Sequence, residues 1–337
     1  MKIRSIALSS VAVLLLSSFV PTAQASKTPK PITSFQDAVN RPADVSYWAW
    51  KKSSDQVLSN SQKSTGLEII VGPNTKLSNP KPSAGIDAAK RLYPTFRHPQ
   101  KTYAIYYGHK DVEWAQKKYS QIQPTANGDE AKNQCQKADS CMGASATINE
   151  VGDGVLLIAV AKNNPARLHA SGTLEAHEYS HVIQIGSFFK TPKQKQAMFG
   201  IKAFAPWWFV EGGAELSSVG AVYASSFAKY SDDRKFWAKD FLANKNKKYN
   251  EKWIQTFIKP SNTKIWSSED TQWHLYDVGM LICEVFTAIK GPAINIQIFE
   301  DISDGMTYEQ SFEKKFGMKW DTAVPLIAKS ISKLVKQ

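Results

Sequence analysis

LEAHEYSHVIQIG, residues 174–186, carries two histidines four positions apart, His177 and His181, with Glu178 directly after the first. The stretch is compatible with a helix that stops at Gly186, a residue type suited to helix C-termini. On a helix, residues i and i+4 project from one face about a turn apart, so both imidazoles can converge on one cation. A zinc ion with three protein ligands keeps a position for water, and an adjoining carboxylate such as Glu178 can accept that water's proton. This is the physical content of the His-Glu-x-x-His pattern. The competing reading is a pair of ordinary packed or surface histidines.

A second stretch bears on that choice. In PWWFVEGGAELSS, residues 206–218, Glu211 opens a helix after an aromatic run, with 29 residues between it and His181, and Glu215 follows one turn later. Two carboxylates at i and i+4 mirror the two histidines. One can bind a cation while the other accepts a hydrogen bond from a ligand imidazole and fixes its orientation. A glutamate pair by itself is an ordinary solvated helix face. Beside HEYSH, and flanked by Trp207, Trp208, Phe209 and two glycines, the ligand reading becomes the better one.

HEYSH followed by WWFVEGGAE resembles the gluzincin zinc metallopeptidases, a peptidase MA-like clan that includes thermolysin and related aminopeptidases. The resemblance is specific over residues 174–216. YDVGMLICEVFTAIKG (276–291) and GMTYEQSFEKKFGMKW (305–320) are similar to the tails of secreted members. It implies Zn2+ held by His177, His181 and Glu211, Glu178 as general base, and Glu215 as the acid behind a ligand histidine. It also implies an oxyanion donor from a later helix. Tyr276 is the preferred candidate and His274 the other, because a Tyr with Gly three residues on recurs in such tails. The interval between His181 and Glu211 is longer than in the aminopeptidases, and the Gly-x-Met-Glu-Asn exopeptidase motif is missing, which argues against aminopeptidase activity.

The start of the chain fits export. MKIRSIALSSVAVLLLSSFVPTAQAS has Lys2 and Arg4, an apolar run to Val20 broken by four serines, and Ala23-Gln24-Ala25, a small-x-small cleavage pattern. Residues 1–25 are therefore expected to be a removed signal peptide, leaving no stable membrane anchor and a periplasmic or extracellular protein. Its loss lowers the formal charge from +12 to +10, by Lys2 and Arg4. The basic excess lies in solvated stretches such as KTPKQKQ (190–196) and NKNKKYNEK (244–252), without the basic and aromatic interleaving of a nucleic-acid groove. No nucleic-acid partner is expected; a peptide or protein substrate is. In an oxidising compartment Cys135 and Cys141, with five residues between them in a polar loop, should close a small disulfide, and Cys283 in VGMLICEVF should be a buried thiol.

Residues 66–74, 101–109 and 154–161 read as strands, and 86–96 and 111–122 as helices. The polar stretch 123–150 reads as a long surface loop inserted in this mixed part, residues 26–163. From Asn164-Pro165, a plausible cap and first helical position, the chain reads as helical to residue 337. Candidate helices cover 165–185, 206–225, 230–243, 250–258, 271–290, 292–301, 307–316 and 320–336. The expected fold is α+β: a small sheet-containing N-terminal part packed on a mainly helical, zincin-like catalytic domain, residues 164–337. His98, His109 and His169 lack partner spacing and read as structural or surface residues. Two functions remain from this reading, a secreted zinc metallopeptidase and a non-catalytic envelope binding or scaffolding protein. The presence of Glu178 separates them, because a degenerate relative would often have lost the base.

Overall fold

The structure, a computed structural model, describes residues 28–63, 65–125, 128–141, 143–161, 171–245, 247–259 and 273–335. The expected signal peptide, the expected helix start at Asn164-Pro165, and His169 lie outside these residues. The elements run α1 (Phe35–Asn40), α2 (Pro42–Leu58), β1 (Leu67–Val71), α3 (Pro82–Leu92), β2 (Thr102–Tyr107), α4 (Val112–Ile122), α5 (Glu130–Gln134), β3 (Ala144–Ile148) and β4 (Gly154–Ala159). The helical series follows: α6 (Thr173–Gly186), α7 (Gln194–Gly200), α8 (Trp207–Val222), α9 (Phe227–Trp237), α10 (Lys239–Ala243), α11 (Glu251–Ile258), α12 (Asp277–Lys290), α13 (Ile294–Ser303), α14 (Tyr308–Phe316) and α15 (Trp320–Ser332). The fold class is α+β.

The sheet order is β1-β2-β4-β3, with β1, β2 and β4 parallel and β3 antiparallel on the edge beside β4. Side chains alternate across a strand. In β2 and β4 both faces are apolar: Ile105, Tyr107, Val155, Leu157 and Ala159 face a small core under α4 and α5. Ala104, Tyr106, Leu156 and Ile158 face the main core, shared with the helices. Each such Ile or Leu contributes about 1.5–3 kcal/mol by leaving water, which explains the unbroken run GVLLIA in the middle of the sheet.

Two features depart from the sequence reading. The stretch 123–150 is not simply a loop. It contains α5, the Cys135–Cys141 disulfide and the edge strand β3, whose ASATI is too short and too poor in large β-formers to stand out. The long helix α2 has no counterpart in the sequence reading, and it packs mainly against α12, with α3 and α8 beside it. Helix α1 and the end of α15 are tied together: Ser330 Oγ donates to the Ala38 carbonyl at 2.9 Å and Lys333 Nζ to the Val39 carbonyl at 2.7 Å. Residues Pro31–Gln337 accordingly form one compact unit around one main core. Among the described residues no single helix is long and apolar enough to cross a membrane.

The helices that matter most for the site are α6, α8 and α12. Apart from His181, every residue of α6 is buried, as a helix enclosed on all sides must be. The α8–α12 crossing is set by glycine. A side chain on Gly212 would collide with the Gly279 backbone, and one on Gly279 with the Trp208 carbonyl. This close approach brings the carboxylates of α8 up to Tyr276, the residue preceding α12.

Candidate metal centre

His177, Glu178 and His181 come from α6, and Glu211 and Glu215 from the facing turn of α8. The i, i+4 offsets on the two helices meet, so the distances are short. His181 Nε2 lies 3.1 Å from His177 Nε2, and Glu211 Oε2 lies 3.3 Å from His181 Nε2 and 3.5 Å from His177 Nε2. Zinc–nitrogen and zinc–oxygen bonds of about 2.0–2.2 Å at tetrahedral angles put neighbouring ligand atoms about 3.3–3.5 Å apart. The three atoms therefore form one face of a tetrahedron of the right size, and these residues can hold a metal ion.

The outer nitrogens of both imidazoles are tied down. His177 Nδ1 is 3.0 Å from Glu215 Oε2, and His181 Nδ1 is 2.8 Å from Gln184 Oε1. A carboxylate or carbonyl oxygen only accepts, so each Nδ1 carries the proton, which leaves the Nε2 lone pair for a cation. Gln184 is held in turn by donating from Nε2 to the Val210 carbonyl at 3.0 Å.

Burial is severe for so many ionisable groups: His177, Glu178, Glu211 and Glu215 are all buried. Burial alone would lower the proton affinity of His177, but its bonds to Glu211 and Glu215 outweigh that and push its pKa up to about 10. Burial also opposes ionisation of Glu211. The positive field of His181, the imidazole hydrogen bonds and Lys202 overcome it and hold the carboxyl well below its usual range. For Glu178 burial dominates and raises the pKa, with His177 and His181 pulling the other way. Without a metal the group draws in a proton, as a set of acceptors converging on an absent cation should.

A cavity of about 560 Å³ opens onto the group, and Glu178, Lys202 and Tyr276 share its wall with the candidate ligands. The rest of the lining is largely apolar: Met198, Ile201, Val210, Trp237, Trp273 and the start of β3. Tyr276 stacks on His177 with ring centroids 6.0 Å apart, and burial followed by the carboxylates Glu211, Glu178 and Glu215 keeps its phenol protonated. His274 does not line the cavity. Its Nε2 is 2.9 Å from Tyr249 Oη and its Nδ1 3.0 Å from Asp277 Oδ1, inside an aromatic box with Phe241 and Trp253.

The two other described histidines, His98 and His109, are elsewhere. His98 bridges the Tyr93 carbonyl (2.9 Å) and Tyr179 Oη (3.2 Å), and His109 lies 3.3 Å from the Cys135 carbonyl. Cys283 is a buried free thiol. Two residues of the site were not read from the sequence. Gln184 stands three positions after His181, a helical spacing from which it could have been found. Lys202, whose Nζ is 2.6 Å from Glu211 Oε1, sits in an unremarkable lysine-containing stretch and offered no such cue.

No protein-family profile, curated protein or solved structure matches this chain.

Proposed function

We propose that this protein is an exported zinc-dependent metallopeptidase of gluzincin type. The observation that carries the proposal is the triangle of His177 Nε2, His181 Nε2 and Glu211 Oε2, with sides of 3.1–3.5 Å, in the wall of a cavity that Glu178 also lines. Two imidazole nitrogens and one carboxylate oxygen suit zinc and leave its fourth position open. A zinc ion held there supplies the Lewis acid, polarising a scissile carbonyl and acidifying the attacking water.

The remaining work falls to the chain's own groups. Glu178 takes the proton from the water as the oxygen bonds to the carbonyl carbon. It then delivers that proton to the amine nitrogen as the carbon–nitrogen bond breaks. Its raised pKa suits both halves of this relay. The Tyr276 hydroxyl, kept protonated by burial and nearby carboxylates, donates to the developing oxyanion. Glu215 and Gln184 keep the two imidazoles oriented. The apolar wall displaces water and receives bulky side chains of a peptide substrate. The Cys135–Cys141 disulfide supports export to an oxidising compartment.

Metal analysis of the purified protein, with peptide-library digests of wild type and Glu178→Gln, tests the reading. One zinc per chain is expected in both, with hydrolysis by the variant slower by about 10²–10⁴-fold, the usual reach of general-base catalysis. Zinc-loaded wild type that cleaves nothing would instead support a binding or scaffolding role. A Glu178→Gln variant as fast as wild type would remove Glu178 from the mechanism.

A further inference from the structure

The interval of 29 residues between His181 and Glu211 folds as α7 followed by a one-turn helix, Ile201–Ala203. Ile201 is buried and anchors that turn. The next side chain, Lys202, crosses the cavity wall to Glu211, its Nζ 2.6 Å from Oε1 and 4.7 Å from the centre of the Trp207 ring. The Glu211 carboxylate is thus divided. Oε2 faces the two imidazole nitrogens, Oε1 meets the ammonium, and the Tyr276 hydroxyl also lies within reach of the carboxylate.

We propose that Lys202 is a positioning residue that keeps Glu211 a one-oxygen ligand and so reserves a coordination position for water and substrate. The inference rests on the metal reading above. A carboxylate can meet a cation through one oxygen or both, and zinc accepts a fifth ligand. With Oε1 unrestrained, rotation about the last side-chain bond would bring it onto the ion and fill the open place. The ammonium prevents this by hydrogen bonding to Oε1, and the Trp207 face under it limits where the ammonium can go. Lys202 also has a cost, since its charge has the same sign as the ion's and opposes metal binding. The same charge draws electron density from Glu211 and leaves more of the ion's field for a bound carbonyl. Holding the ion somewhat less tightly and using it better is therefore the signature of this residue. The long interval between the second histidine and the glutamate is what carries Lys202 to that place.

Lys202→Met keeps the length of the stem and removes the charge; its side chain is one-third exposed, so folding should tolerate the change. Three measurements on wild type, Lys202→Met and Lys202→Arg decide the matter: zinc affinity by chelator competition, the visible absorption of the cobalt-substituted protein, and peptide hydrolysis. In Lys202→Met we expect zinc held about tenfold more tightly and cobalt bands weakened as the site moves from four ligands toward five. Hydrolysis should be slower by the roughly 10–100-fold that outer partners of metal ligands command. Lys202→Arg should restore most of the cobalt spectrum. Zinc held less tightly with slower hydrolysis would make Lys202 a mere prop of the wall. Tighter zinc with an unchanged spectrum and rate would make it a filler of the metal-free site. Either result overturns the proposal and leaves the peptidase reading standing. Wild-type protein that takes up neither zinc nor cobalt removes both.

Discussion

The Arg234–Glu284–Tyr230 cluster and the candidate metal centre are both buried among the helices, yet their polar atoms are balanced very differently. At the first, Arg234 Nε donates to Glu284 Oε1 at 2.6 Å and Oε2 at 2.8 Å, and Tyr230 Oη donates to Oε1 at 2.7 Å. Among the described residues the cation meets Glu284, and both carboxylate oxygens are used. At the second, Glu178, Glu211 and Glu215 converge, and among the described residues Lys202 is the one fixed positive charge paired with them. Two imidazole nitrogens that both need a proton or a cation stand 3.1 Å apart. A buried cluster that closes on itself holds a fold together. One that lacks positive charge is built around something that binds there.

The sharpest way to break this comparison is to remove a cation from the closed cluster. Arg234→Met should destabilise the metal-free protein by about 3–5 kcal/mol, because Glu284 is left buried and unpaired. Glu211→Gln should cost the metal-free protein less, because Glu215 remains 3.0 Å from His177 Nδ1 to pair with the protonated imidazole. Urea unfolding of chelator-treated protein compares the two variants. Equal losses would mean that both clusters are structural and that the metal centre has no special standing.

Glu215 sharpens the comparison at smaller scale. It touches His177 Nδ1 and none of the converging Nε2 atoms, so Glu215→Gln should weaken zinc affinity by about 10–100-fold without abolishing binding. Glu211→Gln should lose more, since it alters an atom of the triangle itself. Competition titration against a chelator of known affinity ranks them. If Glu215→Gln loses the metal and Glu211→Gln keeps it, their roles are exchanged.

The division between what was and was not legible in the sequence follows from the range of the interactions. The histidine pair, the glutamate pair and strands such as GVLLIA are local patterns of period 3.6 or 2, so position along the chain announces them. Gln184 was equally local and was passed over. Lys202 was not local: it reaches Glu211 through a turn whose placement depends on the packing of Ile201, and no spacing rule connects residues 202 and 211. Tyr276 and His274 show the same limit. Both belong to WHLYDVG, and the burial of His274 and Leu275 in the one-turn helix Trp273–Leu275, with the Gly212–Gly279 contact, sends Tyr276 to the cavity and His274 to Asp277. Strand β3 depends on β4 for its existence, and four small residues followed by Ile148 give it little pattern of their own.

Taken over a single pH unit, the smallest expected effect is a pH dependence whose sign differs between metal binding and folding. In the metal-free protein His177 carries a pKa raised from 6.5 to about 10, so at neutral pH it holds a proton between Glu211 and Glu215. A metal ion must displace that proton to reach Nε2. Metal affinity should therefore rise by up to tenfold per pH unit as pH climbs toward about 10 and level off above it. The metal-free fold behaves in the opposite sense. Its folded-state pKa is raised, so the stability contributed by protonated His177 is complete below the unfolded value near 6.5. That contribution is lost as pH climbs toward 10. Calorimetric zinc titrations at one neutral pH, in buffers of different ionisation enthalpy, count the protons released, with one from His177 expected. Zinc uptake with no proton release would show that the imidazole is already neutral before the metal arrives, and that the carboxylates around it do not act as the acceptor set described here.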